Sequence, residues 1–316
     1  MLSRTADHLY WMARYTERAE NLARMLDVNY RMSLLGQDET TVKARWQDTL
    51  EIVGQLEAYR SAHEGLSQNE AIRWISFERG NPGSIYQCLK LARENAHAVR
   101  GTLTSETWET LNTTWLDMRQ RNASSAIGGD PSDFFEWVKF RSHLARGVIQ
   151  GTMLRDEAIR FTWLGTHLER ADNTARILEA RYAPITAGSI DLDVAGDYYE
   201  WSSLLRSVSA FQIYRKVYRD QITPRRVAEL LILREDMPRS LARCMNQVHQ
   251  TLADVANDQS AETQRRAGEI HAGLLYGRID DVFAHGIRDW LERFLVRIGE
   301  LGERIAYDFL VPPQAD

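Results

Sequence analysis

The 316-residue chain is 44% hydrophobic and 26% charged, and it carries a formal net charge of −5. This composition is ordinary for a globular protein, and the acidic balance disfavours a nucleic-acid or anionic-membrane binder. The first ten residues do not resemble a signal peptide, and no apolar stretch approaches the roughly 18 residues of a membrane span. We therefore expect a cytoplasmic protein that contacts neither nucleic acid nor membrane.

The first predicted element is a long helix near the N-terminus. Residues spaced alternately by three and four positions form an apolar seam there: Leu9, Met12, Thr16, Ala19, Ala23, Leu26 and Tyr30. A second seam has the same spacing: Phe161, Leu164, Leu168, Ala171, Ala175, Leu178 and Tyr182. This spacing places each set on one face of a helix that packs against other helices.

Further helices are predicted in chain order, and the whole chain is predicted to be all-α. The first half gives helices at about 43–58, 68–77, 82–100, 105–121 and 132–153. The second half gives helices at about 155–182, 197–219, 224–234, 238–256, 260–276 and 280–310. Asn81-Pro82 and Asp130-Pro131 each fit an N-cap followed by proline at the first helical position. We predict loops near 36–42, 122–130 and 183–196, and a loose tail at 312–316.

The sequence also repeats itself. An 18-residue segment from Tyr10 matches one from Thr162 at eight positions, at a constant offset of 152. A second pair of segments aligns at an offset of 156 and matches Cys88 with Cys244. Self-similarity at such a long period predicts duplication of a whole domain. We predict two tandem copies of one multi-helix bundle, at 1–153 and 154–311, with the second packed on the first.

Several of these motifs together resemble the alpha-E family. They are the TERA and LERA elements at 16–19 and 168–171, the GTMLRDE run at 151–157, and the P-x-S helix starts at 82–84 and 238–240. This bacterial all-helical family is named for its Glu-Arg motif. Its members are encoded near, or fused to, circularly permuted ATP-grasp proteins and transglutaminase-like proteins. The resemblance implies a role in an amide-ligase or peptide-modification system, with an ATP-grasp-type ligase and a transglutaminase-like protein as partners.

Both predicted copies carry the Glu-Arg motif, as Glu17-Arg18 and Glu169-Arg170. Neighbouring residues on a helix point in different directions, so the Glu and Arg of one motif cannot pair well with each other. We predict that Glu17 pairs with Arg170 and Arg18 with Glu169, and that both arginines are mostly buried. Two alternatives stay open: these residues line a polar pocket for an acidic ligand, or they face solvent.

One charged run occurs only in the second copy. Arg155, Asp156 and Glu157 stand where the first copy has Ser3-Arg4-Thr5. Charge in only one copy suggests a task specific to that copy. A structural interpretation is also available, because acidic residues in the first turn of a helix complement its dipole and its N–H groups.

No complete catalytic or metal site is recognisable in the sequence. A di-iron bundle needs two Glu-x-x-His motifs, and only the one at Glu94 and His97 occurs. Cys88 and Cys244 fit small core residues better than nucleophiles. We therefore expect no cofactor and no metal. The nine tryptophans exceed the need of one core, so some are candidates for a groove or a partner surface.

Three functions are compatible with these observations. The first is a helical accessory or scaffold protein, without independent catalysis, that acts with an ATP-grasp amide ligase in peptide or amide synthesis or modification. The second is an enzyme that uses a Glu/Arg-lined pocket between the repeats for acid-base or transfer chemistry. The third is a purely structural helical domain.

Overall fold

The computed structural model describes residues 1–36, 38–183 and 198–310, apart from the side chain of Ser125. Within those ranges all regular structure is helical, with sixteen helices and no strand. The predicted all-α class is confirmed. No helix in the described ranges is long and apolar enough to cross a membrane. The predicted tail at 312–316 and nearly all of the predicted loop at 183–196 lie outside the described residues.

The chain forms two compact units. One consists of residues 11–154, and the other of residues 1–10 together with the chain from Arg155 onward. Helix α1 (Ser3–Ser33) therefore contributes residues to both units. The predicted domain limits stay predictions.

The 11–154 unit holds the longer part of α1 and seven further helices. These are α2 (Glu39–Ile52), α3 (Leu56–Ala62), α4 (Gln68–Phe77), α5 (Ile85–Ala98), α6 (Ser105–Gln120), α7 (Ala123–Gly128) and α8 (Pro131–Thr152). Helix α6 packs on both α5 and α8, while α4 lies against α2, α5 and α7. The long helices thus form a bundle with the shorter ones beside it.

In its described residues, the other unit holds eight further helices. These are α9 (Glu157–Tyr182), α10 (Tyr198–Ser207), α11 (Phe211–Tyr218), α12 (Pro224–Ile232), α13 (Leu241–Asp254), α14 (Ala261–Leu275), α15 (Ile279–Ala284) and α16 (Ile287–Phe309). Helix α9 packs on α13 and α16, and α14 closes the bundle by packing on the same two helices.

The two predicted seams are the buried faces of α1 and α9. Every seam residue of both helices is buried except Tyr30, which is half-buried. The seam prediction is therefore confirmed. The seam alanines, such as Ala19 and Ala171, are fully buried and let a neighbouring backbone approach closely.

Helix starts are set by small polar caps. Asp130 accepts a hydrogen bond from the backbone N–H of Ser132, and Pro131 begins α8 as predicted. The predicted cap at Asn81 is wrong. Helix α5 begins after Ser84, whose hydroxyl accepts from the N–H of Gln87, because the residues between Asn81 and Ser84 form a turn instead.

Three predicted helices are each two helices in the structure. The predicted 43–58 helix is α2 and α3, the 197–219 helix is α10 and α11, and the 280–310 helix is α15 and α16. Each break contains one residue with positive φ: Gly54 (68°), Ser209 (56°) and Gly286 (79°). A residue in that region cannot continue a right-handed helix, so the chain turns there. The predicted loop at 122–130 is also wrong in part, because it contains α7.

Buried tyrosines predict a loss of stability at alkaline pH. Burial, with a smaller contribution from Glu70, raises the pKa of Tyr59 to about 12, and burial raises the pKa of Tyr182 well above 10. An unfolded tyrosine ionises near pH 10. The native state therefore holds these protons more tightly, and the stability they contribute is complete below pH 10 and falls as pH rises toward 12. Chemical unfolding across this range should show the decline, and Tyr59→Phe should make it shallower.

Candidate functional site

Helices α1 and α8 carry charged side chains on the faces that lie against each other. On α1 these are Glu17, Glu20, Arg24 and Asp27, spaced three, four and three residues apart, so they share one helical face. On α8 they are Lys139, His143 and Arg146, spaced four and three apart. Glu17, Glu20, Arg24, His143 and Arg146 are joined by the contacts described next, and we call them the α1–α8 charge network.

Two buried carboxylates form the centre of this network. Glu17 and Glu20 are 1% and 0% exposed. Arg146 Nη1 lies 2.6 Å from Glu17 Oε2, and its Nη2 donates to Glu20. Arg24 Nε donates to the other oxygen of Glu20 at 2.8 Å. Carboxylates at this depth need charged donors, and Arg146 satisfies both with one guanidinium group.

His143 lies at the exposed edge of the network, where its side chain is 54% exposed. Its Nε2 is 2.8 Å from Arg24 Nη2, and its Nδ1 is 3.2 Å from Arg146 Nη2. Guanidinium nitrogens only donate hydrogen bonds, so a ring nitrogen of His143 accepts in a hydrogen bond with Arg24 or Arg146. The Nε2 atom also lies 3.8 Å from Glu20 Oε1.

A second ion-pair group continues the same face toward the end of α1. Asp27 is buried, and its carboxylate accepts from Lys139 Nζ at 2.7 Å and from Arg31 Nε at 2.8 Å. Lys139 also donates to Glu136 at 2.7 Å. These contacts fix the register of α8 against α1 and so hold His143 and Arg146 in place.

The residues of the two Glu-Arg motifs lie in different environments. Glu17 belongs to the charge network, while Arg18 is half-buried, with its guanidinium group 5.9 Å from the centre of the Tyr15 ring. On α9, Glu169 and Arg170 are buried, and Arg170 Nη1 approaches the carbonyl oxygen of Pro238 at 3.4 Å. The predicted pairs of Glu17 with Arg170 and of Arg18 with Glu169 stay predictions.

The charged run before α9 lies at the surface. Arg155, Asp156 and Glu157 are all exposed. Asp156 is the N-cap of α9, where its carboxylate accepts from the N–H groups of Ala158 and Ile159. Glu157 accepts from the amine of Met1 at 2.5 Å. The structural interpretation therefore accounts for Asp156, while Arg155 and Glu157 remain candidates for partner contacts.

Comparison with known proteins identifies the family. The family model of Alpha-E, described as a predicted alpha-helical domain with a conserved ER motif, matches residues 1–310. The chain belongs to the Alpha-E family. It is 22% identical over 319 residues to uncharacterized proteins of Mycobacterium bovis and of two strains of Mycobacterium tuberculosis. Each match covers 93% of this chain but 35% of the relative, so the chain spans about a third of their length. No solved structure shows a significant match.

Glu17, the glutamate of the first ER motif in this Alpha-E protein, is bound by Arg146, a partner that the sequence did not predict. Arg146 lies 129 positions from Glu17 and outside every motif quoted from the sequence. The sequence held only a weak signal for such a partner, because Glu20 and Arg24 follow Glu17 on the same helical face. An acidic residue three positions beyond a buried glutamate already implies a basic partner from another helix.

The charge network is confined to one half of the Alpha-E sequence. Helices α8 and α16 bury residues with the same spacing of four, three and four: Val138, Ser142, Ala145 and Ile149 in one, Phe294, Ile298, Leu301 and Ile305 in the other. At that offset of 156, Gly299 and Gly302 correspond to His143 and Arg146. All five residues of the network lie in the 11–154 unit.

The carboxylates of the network pair with arginines and do not form a metal-binding group among the described residues. Over residues 1–36, 38–183 and 198–310, no group of three His, Cys, Asp or Glu side chains could hold a metal ion. The carboxylates of Glu17 and Glu20 are already occupied by guanidinium donors. Cys88 and Cys244 are fully buried, as expected for small core residues.

An open helix surface lies beside His143. Gly147, one turn further along α8, is exposed, and a β-carbon added there would meet no atom within 4 Å. We expect Gly147→Ala to raise the free energy of unfolding by about 0.5–1 kcal/mol, because alanine restricts the unfolded chain and favours helix. Urea denaturation would measure the gain. A loss of stability would show that the surface at Gly147 is not open.

Proposed function

We propose that this Alpha-E protein is a helical accessory subunit that acts with an ATP-grasp-type amide ligase in peptide or amide synthesis or modification. The observation that carries the proposal is the length of the relatives. Because the chain matches 35% of each, roughly two thirds of every relative lies outside the matched region. A domain that occurs within larger chains is expected to work with what those chains attach to it.

The chemistry of the α1–α8 charge network supports a role in binding. A general base needs a carboxylate that is available to take a proton. Glu17 and Glu20 instead accept charge-assisted hydrogen bonds from Arg146, and Glu20 also from Arg24. The guanidinium groups of the network therefore suit it to donating hydrogen bonds to a ligand, and its paired carboxylates are poorly placed to abstract a proton.

The identity of the partner rests on the family resemblance. Alpha-E proteins resembling this one accompany ATP-grasp and transglutaminase-like proteins, so an ATP-grasp-type ligase is the principal partner and a transglutaminase-like protein a further one. Dependence on ATP would place the complex in the cytoplasm. Arg155 and Glu157 are the first residues to test, because they are exposed and occur in only one predicted copy.

The test uses the full chain and the ATP-grasp-type protein of the same genome. We expect the chain alone to release no phosphate from ATP, and to bind the ligase and change its rate of product formation. The charge-swapped variant Arg155→Glu/Glu157→Arg keeps the Asp156 cap and should weaken binding. The matched control is Arg265→Glu/Glu269→Arg, which swaps another exposed pair and should leave binding unchanged.

Two outcomes would contradict the proposal. If the ligase neither binds the chain nor changes its output, the accessory role is wrong. If the chain alone turns over a substrate and the activity is lost with the Arg155/Glu157 swap, the protein is an enzyme in its own right, as in the second function considered above.

We also infer that the two halves arose by duplication. Five helices of one half begin 156 positions before five helices of the other: α4 and α12, α5 and α13, α6 and α14, α7 and α15, α8 and α16. Ser84 and Ser240 cap α5 and α13 in the same way. An experimental structure in which residues 3–153 superpose on 155–310, with Glu17-Arg18 on Glu169-Arg170, would support common origin. Halves that do not superpose would exclude it.

A further inference from the structure

We propose that the outer face of α5 and α6 binds an acidic segment of a partner protein, whose Asp and Glu side chains pair with arginines on that face. The inference goes beyond the proposed function, because it does not require the partner to be the ligase. It rests on the residues of the 11–154 unit that form this face.

One face of each of these helices carries basic, aromatic and amide side chains and no carboxylate. Residues spaced alternately by four and three positions share a helical face. On α5 and the turn after it these residues are Tyr86, Lys90, Arg93, His97 and Arg100, and on α6 they are Trp108, Asn112, Trp115 and Arg119. We call them the α5–α6 basic strip. The two helices pack together, and Arg93 Nε donates to Asn112 Oδ1 at 3.1 Å, so the two faces are continuous.

Two arginines of the strip lie against one tryptophan without a carboxylate beside them. The guanidinium groups of Arg93 and Arg100 lie 5.2 and 5.3 Å from the centre of the Trp108 ring, and the His97 ring lies 5.6 Å from it. Over the residues that the structure describes, Arg93, Arg100 and Arg119 form no ion pair. Two like charges at one ring repel each other. A carboxylate at this point relieves the repulsion and accepts charge-assisted hydrogen bonds.

The strip is not required for two such helices to pack. Helices α13 and α14 begin 156 positions after α5 and α6, and they also pack on each other. At that offset the strip corresponds to residues that are neither Arg, Lys, Trp nor Tyr: Ala242, Asn246, His249, Ala253, Ala256, Gln264, Gly268, His271 and Leu275. Because this second pair of helices packs without such side chains, the arginines and tryptophans of the strip are available for another role.

The sign of the charge determines what the strip binds. The chain carries a net charge of −5, whereas the strip has three arginines, one lysine and no Asp or Glu. Its lysine, Lys90, reaches Glu94 on the neighbouring face at 3.7 Å, and both side chains of that pair are exposed. An acidic segment is therefore attracted to this face, while the overall negative charge of the chain disfavours its binding elsewhere.

The arrangement of the aromatic rings favours a protein over a nucleic acid. Single-stranded nucleic acids bind by stacking bases on aromatic faces. The Trp108 ring already has two guanidinium groups near it, and Tyr86 and Trp115 pack edge to face with their ring centres 5.0 Å apart. Arg79 also lies 5.1 Å from the centre of the Tyr86 ring. The guanidinium edges remain for a ligand, and they suit carboxylates, while Trp, Tyr and Arg together are typical of protein interfaces.

The experiment titrates the full chain with a peptide of about 20 residues made of glutamate and alanine, and with a counterpart that has glutamine in place of glutamate. As a helix the peptide is roughly 30 Å long, which covers the roughly 21 Å from Tyr86 to Arg100. Calorimetry measures both affinities. We expect the glutamate peptide to bind at least about tenfold more tightly. Its affinity should fall as salt is added, because exposed charges are screened.

Variants of the strip locate the binding. Arg93→Gln/Arg100→Gln should weaken binding of the glutamate peptide by about tenfold or more, because it removes two charge-assisted donors. Arg119→Glu should also weaken it through repulsion, and this side chain is exposed, so the fold is retained. The matched control is Arg293→Gln/Arg297→Gln, which removes the same charge from exposed positions on α16 and should bind like the unaltered chain. Urea unfolding checks that each variant is folded.

The inference is wrong if the two peptides bind equally or not at all, or if the α16 control loses as much affinity as the strip variants. Tighter binding of single-stranded oligothymidylate than of the glutamate peptide would identify a nucleic-acid site instead. A dimer of the chain that dissociates in the Arg93/Arg100 variant, without binding of the peptide, would identify an interface between copies. If the glutamate peptide binds as expected but the ligase does not respond to the chain, only the proposed function is wrong.

Discussion

Arg146→Ala should lower the free energy of unfolding by about 3–5 kcal/mol, because it leaves two buried carboxylates without their shared partner. Glu17 and Glu20 are 1% and 0% exposed, and Arg146 donates to both. Arg24 still donates to Glu20, so that carboxylate keeps one of its charged donors. Urea or thermal unfolding would measure the loss.

A triple variant separates the cost of the unpaired buried charges from the cost of the lost side-chain packing. Arg146→Met combined with Glu17→Gln and Glu20→Gln removes the stranded charges and should recover most of the loss, because neutral amides cost less to bury than carboxylates. His143→Ala should change stability by only about 0.5 kcal/mol, because that side chain is more than half exposed. An Arg146→Ala protein as stable as the unaltered chain would show that solvent or another cation reaches Glu17.

Trp46→Ala should also cost about 3–5 kcal/mol, because it leaves a large cavity in the 11–154 unit. Trp46 is completely buried on α2, and its indole N–H reaches Gln68 Oε1 at 3.3 Å. The sequence left open whether such tryptophans belong to the core or to a surface. For Trp46, the burial identifies the core.

Trp108→Ala is the matched comparison, and we expect a cost of only about 1 kcal/mol. Trp108 is half-buried on α6, and the guanidinium groups of Arg93 and Arg100 lie 5.2 and 5.3 Å from its ring centre. Both variants would be measured by denaturant unfolding with the same probe. Equal losses for the two tryptophans would contradict the assignment of Trp46 to the core and Trp108 to the surface.

Much of the fold was predictable because helical packing has a short period. The seams of α1 and α9 follow from spacings of three and four residues, and the structure buries nearly every member. The predicted helix at 68–77 agrees with α4 at both ends, where Ser67 caps the first turn. Such local signals lie within a few residues of the element they determine.

Breaks within predicted helices were missed because apolar periodicity continues across them. Val282 in α15 and Ile287 in α16 are both buried, although Gly286 turns the chain between them. A glycine inside a helical pattern is tolerated or ends the helix depending on its φ angle, and sequence does not give that angle. The break at Ser209 was harder still to predict from the sequence, since serine rarely adopts positive φ.

The sequence by itself determined that this protein is all-helical and that two long helices each bury an apolar seam. It also contains the ER motif by which the chain belongs to the Alpha-E family. Only the tertiary structure showed that Arg146 binds Glu17 and Glu20 and that His143 meets Arg24 and Arg146 at an exposed edge. The physical reason is that helical periodicity is a local property. The partner of a buried charge is instead chosen by which helices pack together, and here it lies 129 residues away in the chain.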